Sequence, residues 1–194
     1  MQSYLPDQAL AAEAGAVLRF WFGEPSAYGA SLKHWFEKDP AFDASVRGAF
    51  LPLYERLAAG ANVEWLERPA DGLAYIVVLD QFPRNMFRGS ARAFSADALA
   101  LAAARQALER GHDRGMLVVE KQFVYLPFEH SESLADQERA CELMRPLGED
   151  LYDWALRHKR VIERFGRFPH RNAALGRAST PEEAEFLAQP GSGF

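Results

Sequence analysis

Leu73-Ala74-Tyr75-Ile76-Val77-Val78-Leu79-Asp80 is the stretch on which the reading of the fold turns. Seven apolar residues run together here, and the β-branched Ile76, Val77 and Val78 suit a buried strand as well as a buried helix. The flanking sequence decides between them. Helical spacing surrounds the run on both sides, and a lone strand would have no partner, so the stretch reads as a helix. On that reading Leu73, Ile76, Val77 and Asp80 share a face, which puts a carboxylate at the inner end of a buried element. Such a group needs a cation or a set of donors. Pro83 follows at once and disfavours helical geometry at Phe82, so the helix is expected to stop there and leave Arg84 and Asn85 on a rigid turn.

Outward from this run the same periodicity repeats. Leu10, Ala14, Val17, Phe20 and Trp21 predict a helix over residues 7 to about 22, ended by Gly23 and Pro25. A short helix is expected about Trp35 and Phe36. Asp39 before Pro40 predicts a capped start, with Phe42, Val46, Phe50, Leu53 and Leu57 on one face down to Gly60, and Pro52 is expected to kink or split the element. Ser95 is read as the cap of a helix reaching Gly111, and Lys121 to Phe128 as an aromatic-rich segment broken by Pro127. Ser131 or Ser133 opens a helix through Leu134, Gln137, Cys141 and Met144. Leu151, Trp154, Ala155, His158, Ile162 and Phe165 mark the stripe of the next one. Thr180-Pro181-Glu182-Glu183 has the order of a capping box with a first-turn proline. With no βαβ rhythm and no fixed-period repeat, the sequence predicts an all-α fold: one domain over residues 1–194, a compact array of roughly eight to ten helices.

Composition narrows the function classes. The 194 residues carry a net charge of -5, which argues against non-specific nucleic-acid binding. Cys141 is the single cysteine, so an internal disulfide and a multi-thiolate metal site are excluded and a reducing, cytoplasmic setting fits. No basic leader or membrane-length apolar run is present, so no membrane partner is expected. Charge is unevenly spread. Arg157 to Arg177 holds seven basic residues against Glu163, a local balance of +6 that leaves -11 for the rest.

Two strings stand out in that light. Phe82-Pro83-Arg84-Asn85 and Phe168-Pro169-His170-Arg171-Asn172 each place an arginine and an asparagine after a Phe-Pro pair. Arginine offers a planar fork suited to carboxylate or phosphate, and asparagine can hold a turn or orient a ligand. Two readings stay open. One is a pocket for a small anion, with Arg84, Arg167 and Arg171 holding charge and Asn85 and Asn172 orienting it. The other has Arg84 and Arg171 in internal ion pairs with Asp80 and Glu132, leaving a helical scaffold whose groove binds a peptide or protein partner.

Histidines supply a third possibility. His158 lies on an apolar stripe and reads first as a hydrogen-bonded core residue; His130 is placed at a helix N-terminus beside Glu129 and Glu132; His170 lies in the basic string. With Asp80 or Glu132 they form a candidate acid–base pair or metal site of a hydrolase, although their spacing matches no metal motif, and no metal or cofactor is expected. A Gly-x-Ser-x-Gly elbow and a phosphate-cradling Gly-x-x-x-x-Gly-Lys loop are both missing, and His34 and His112 read as surface residues.

Taken together, Val17-Leu18-Arg19-Phe20-Trp21-Phe22-Gly23, Leu79 to Asn85, Tyr125-Leu126-Pro127 with His130-Ser131-Glu132, and His158, Ile162 and Phe165 to Asn172 with Leu175-Gly176-Arg177 resemble the bacterial domain-of-unknown-function family numbered 924. The likeness runs from about residue 17 to 187. It implies an all-helical, tetratricopeptide-like arrangement and brings no activity with it.

Overall fold

A computed structural model describes residues 10–24, 28, 32, 35 and 37–192. Eight α-helices account for its architecture, and no strand occurs among the described residues: α1 (Ala12–Phe22), α2 (Pro40–Ala58), α3 (Pro69–Met86), α4 (Asp97–Glu109), α5 (Val118–Glu129), α6 (Leu134–Met144), α7 (Glu149–Phe165) and α8 (Pro181–Leu187). Single helical turns at Val63–Glu67, Ala91–Phe94, His112–Gly115, Arg145–Leu147 and Pro169–Arg171 connect them. The first residues of the expected N-terminal helix, Phe36 and His34 lie outside the described residues.

The apolar run belongs to α3, which is buried along almost its whole length, from Ala70 to Pro83 and again at Asn85 and Met86. That explains its sequence. A helix covered on every side has no polar face to reveal its period. From α2 to α7 each helix packs on the next, and α3 touches α1, α2, α4 and α5, so it is the hub of the array. An aromatic cluster locks α1 onto it: Trp21 meets Trp35, Phe42, Phe82 and Phe123, with ring centroids 5.5 to 6.4 Å apart. Trp35 Nε1 donates to the Trp21 carbonyl at 2.8 Å. A smaller apolar group of Val161, Ile162 and Phe168 joins α7 to the following turn. No helix among the described residues is long and apolar enough to cross a membrane.

The prolines behave differently from expectation. Pro83 and Pro127 do not break their helices; α3 runs on to Met86 and α5 to Glu129. Each proline gives up one N–H bond to the carbonyl four residues before it, and tertiary packing around these buried residues fixes the backbone in helical geometry. Arg47 Nη1 also donates to the Met86 carbonyl at 3.0 Å, closing the end of α3. Pro52 neither splits nor ends α2. It lies on the exposed side of a long helix whose other face is buried through Val46, Phe50, Leu53 and Leu57. Pro52→Ala restores a helical N–H and removes a ring clash, so the variant should be more stable by about 1–2 kcal/mol in chemical denaturation. An unchanged or lower midpoint would contradict a net cost of Pro52 to α2.

Other starts and faces differ in detail. Asp39 caps α2 through bonds to the Ala41 and Phe42 N–H groups, and Thr180 with Glu183 forms the capping box of α8, both as read. Ser95 does not cap α4; Ala96 occupies that position, and Asp97 is the first helical residue. Trp154 is 48% exposed rather than on the buried stripe of α7, which runs through Ala155, His158, Val161 and Ile162. The Arg157 guanidinium stacks over it at 4.8 Å. His112 is half-buried.

Candidate functional site

Asp80 lies within the buried length of α3 with no solvent exposure. Its carboxylate accepts from His130 Nδ1 at 2.7 Å and from Gln81 Nε2 at 2.5 Å, and Arg84 stands at 3.6 Å. Burial opposes its charge, yet His130, Arg84 and Gln81 outweigh that cost and pull its pKa down to about 2. Because an ionised carboxylate only accepts, the Asp80 contact makes Nδ1 the protonated nitrogen of His130. Nε2 then carries the lone pair, and it makes no hydrogen bond to any described residue. Burial and the charge of Arg84 lower the His130 pKa, against the pull of Asp80, so the neutral ring dominates at neutral pH.

His130 is not at a helix N-terminus. It is the C-cap of α5, its N–H bonded to the Leu126 carbonyl. α6 starts at Leu134, after Ser133. The bend between them is held by Gln137, a fully buried residue of α6 whose amide donates to the carbonyls of Glu129 at 2.6 Å and Ser131 at 2.7 Å. The free carbonyls of a buried helix end are thereby satisfied and His130 is fixed in place.

The arginines pair otherwise than the sequence suggested. Arg84 grips Asp97 with both nitrogens, at 2.8 and 3.1 Å, and donates to the Asp80 carbonyl at 2.8 Å. Arg171 reaches the same Asp97 through Nη1 at 3.2 Å. Glu132 goes to neither of them. It takes a two-pronged bond from Arg177, at 2.8 and 3.0 Å, and the Phe168 N–H at 2.8 Å, which hold it below the usual carboxylate range despite partial burial. Arg171, 6% exposed, lies between two rings, 4.7 Å from the Phe94 centroid and 4.6 Å from Phe168. Its Nε is buried without a hydrogen bond, and Nη2 makes none either among the described residues. Burial and the nearby Arg84 charge lower its pKa to about 10, so this cation is under-compensated where Asp97 is shared.

Arg171 and His130 face one cleft of about 380 Å³, with Asp97, Ser131 and Glu132 on its rim and Phe94, Ala98, Leu101, Pro127 and Leu175 as its apolar walls. Ser131 Oγ is occupied by Asp136 at 2.7 Å. Behind the cleft stand His158, 6.4 Å from His130 between ring centroids, and His170, 5.5 Å from Phe168. His158 Nδ1 bonds to the Trp154 carbonyl at 2.9 Å and lies 3.3 Å from Glu129, as a core histidine would. Burial lowers both of these histidines to about 3, with Arg171 adding to the effect, and raises Glu129 to about 8 with help from the Asp80 charge. All three are therefore uncharged at neutral pH. Among the described residues no three His, Cys, Asp or Glu side chains are grouped so as to hold a metal ion.

The structure thus brings together Asp80, Arg84, His130, Glu132, His158, His170 and Arg171. It separates three others. Asn85 donates to Asp43 at 2.7 Å and ties α3 to the start of α2. Arg167 grips Glu183 at 2.6 and 2.8 Å, and Asn172 bonds to Ser179 and Glu183, so these two hold α8 in place. Two residues of the site escape the sequence motifs, Asp97 and Phe94. An aspartate at a helix start reads as ordinary capping chemistry, and only the fold brings it between two arginines.

The comparisons agree with this all-helical picture. A solved structure of a protein of unknown function, ATU0120, from Agrobacterium tumefaciens is 42% identical to the chain, with a TM-score of 0.84 over 91% of this chain and 97% of its own. No curated protein matches the chain. The family model described as bacterial protein of unknown function, DUF924, matches residues 17–191, and with 42% identity to a structure covering nearly all of both chains, the protein belongs to that family.

Proposed function

We propose that the cleft between α4, the α5–α6 bend and the Pro169–Arg171 turn binds a small anion, with Arg171 as its anchor. One observation carries this reading: the Nε/Nη2 edge of Arg171 has no hydrogen-bond partner while its other edge shares an already bidentate carboxylate. A guanidinium edge of this kind matches carboxylate or phosphate oxygens two at a time. The two flanking phenylalanines fix its plane, so little side-chain entropy is lost on binding. Apolar walls opposite the charge fit an organic acid better than a bare inorganic ion.

The test is a thermal-shift panel of inorganic sulfate and phosphate, nucleotides and small carboxylic acids on the protein and on Arg171→Gln. A ligand at about a hundred times its Kd adds about 2.7 kcal/mol, which should raise Tm by about 5–10 °C. The expected shift disappears in Arg171→Gln, which itself melts lower but cooperatively. A panel without any shift, or one equally strong in the variant, refutes the anion site.

A further inference from the structure

We infer that the cleft takes up its anion together with a proton, the anion being held between the Arg171 guanidinium and a His130 ring that becomes protonated at Nε2. The inference rests on the anion-binding reading above and names the partner group that acts with Arg171.

The geometry is that of a histidine prepared for charge and denied it. Asp80 accepts from Nδ1 at 2.7 Å, the arrangement that best stabilises an imidazolium. His130 is also the C-cap residue of α5, at the helix end where the dipole favours a cation. Opposing these are burial of the ring and the Arg84 guanidinium. Every charged or titratable group about the ring can be named: Asp80 and Arg84 from α3, Asp97 from α4, Glu129 from its own helix, Glu132 from the bend, His158 from α7, and His170 and Arg171 from the last turn. His158 and His170 are neutral, Glu129 is protonated at pH 6 and begins to ionise toward its value of about 8, and Glu132 is neutralised by Arg177. The balance at His130 is therefore Asp80 and Asp97 against burial of the ring and the Arg84 charge. An anion on the unpartnered edge of Arg171, reached through Nη2, tips that balance toward the imidazolium, and Nε2, which has no described protein partner, is the nitrogen left to receive the proton and donate it to the ligand.

Linkage sets the sign. Binding that raises the His130 pKa is strongest at low pH and weakens as pH rises through the bound-state pKa, by up to about tenfold per pH unit between the free and bound values. Ser131 offers no competing nucleophile or donor, since its hydroxyl is taken by Asp136.

Calorimetric titration with hexanoate, and separately with sulfate, tests this between pH 6 and 8 in two buffers of different ionisation enthalpy. Neither probe titrates in that range, so buffer-dependent heat reports protons taken up by the protein. The expected result is uptake of a fraction of a proton in the wild type, with affinity falling as pH rises. His130→Gln, which keeps a donor toward Asp80, should bind either probe with flat pH dependence and no uptake. Binding without uptake, or uptake unchanged in His130→Gln, overturns the inference and leaves the anion site intact. No binding of either probe, with a blank thermal-shift panel, removes both readings together.

Discussion

Asp80→Ala should cost about 3–5 kcal/mol of folding stability, a large part of the roughly 5–15 kcal/mol a domain of this kind has. Asp80 is fully buried, accepts from His130 and Gln81, and pairs electrostatically with Arg84 at 3.6 Å. Its removal leaves Asp97 as the one carboxylate facing Arg84, strands the Gln81 amide, and frees His130 to choose either tautomer. The loss should appear in chemical denaturation at neutral pH as a lower midpoint with an unchanged slope. It also has a pH signature. Since the folded-state pKa is depressed to about 2, the carboxylate's contribution is complete above the unfolded value near 3.9 and fades as pH falls toward 2. The gap between wild type and variant should therefore close in acid. A variant within about 1 kcal/mol of the wild type at pH 7 would mean that Asp80 is not the keystone described here.

Phe82→Ala, one turn from the same site, should cost a comparable 3–5 kcal/mol for a different reason. Phe82 is fully buried, 5.6 Å from Trp21, 4.9 Å from Phe50 and 6.3 Å from Phe20 between ring centroids. It joins α1 and α2 to the hub helix, and none of these rings can close the space its removal leaves without shifting a helix. Phe82→Leu, which keeps most of the volume, should lose about 1–1.5 kcal/mol. Equal losses for the two variants would point to a collapse of the helix rather than a cavity. Neither Phe82 variant touches the cleft, so the stability remaining should be accompanied by the wild-type anion response.

Helix positions were legible wherever one face of an element meets solvent, as in α2 and α7, because the 3.6-residue period then shows in the sequence. The hub helix was legible only by its surroundings. Its own residues suit a strand equally well, and burial on all sides erased the period. Proline was over-read for a related reason: local rules at Pro83 and Pro127 describe a helix standing alone, whereas packing carries both helices past them, and Pro52 does not split α2. In the site, residue type pointed to Asp80, Arg84, His130 and Arg171, since buried charge and histidine are costly and need a reason. Pairing was beyond reach. That Arg171 turns to Asp97 rather than Glu132, that Arg177 claims Glu132, and that Arg167 and Asn172 serve α8 depend on contacts 11 to 74 residues apart in the chain. The two Phe-Pro strings look alike and do like work at different places. Asn85 and Asn172 each tie helices together, and the two arginines converge on Asp97 from distant parts of the chain.

The most direct test of the account is the ¹H–¹⁵N correlation of the Arg171 Nε–H group, assigned by its absence in Arg171→Gln, followed while hexanoate or sulfate is added. This nitrogen has no hydrogen-bond partner in the folded protein, so an anion seated on that edge must move its resonance. The account predicts a saturable shift at Arg171 with the same Kd as the thermal stabilisation. An Arg171 signal that stays still while stability rises would place the anion elsewhere and contradict it.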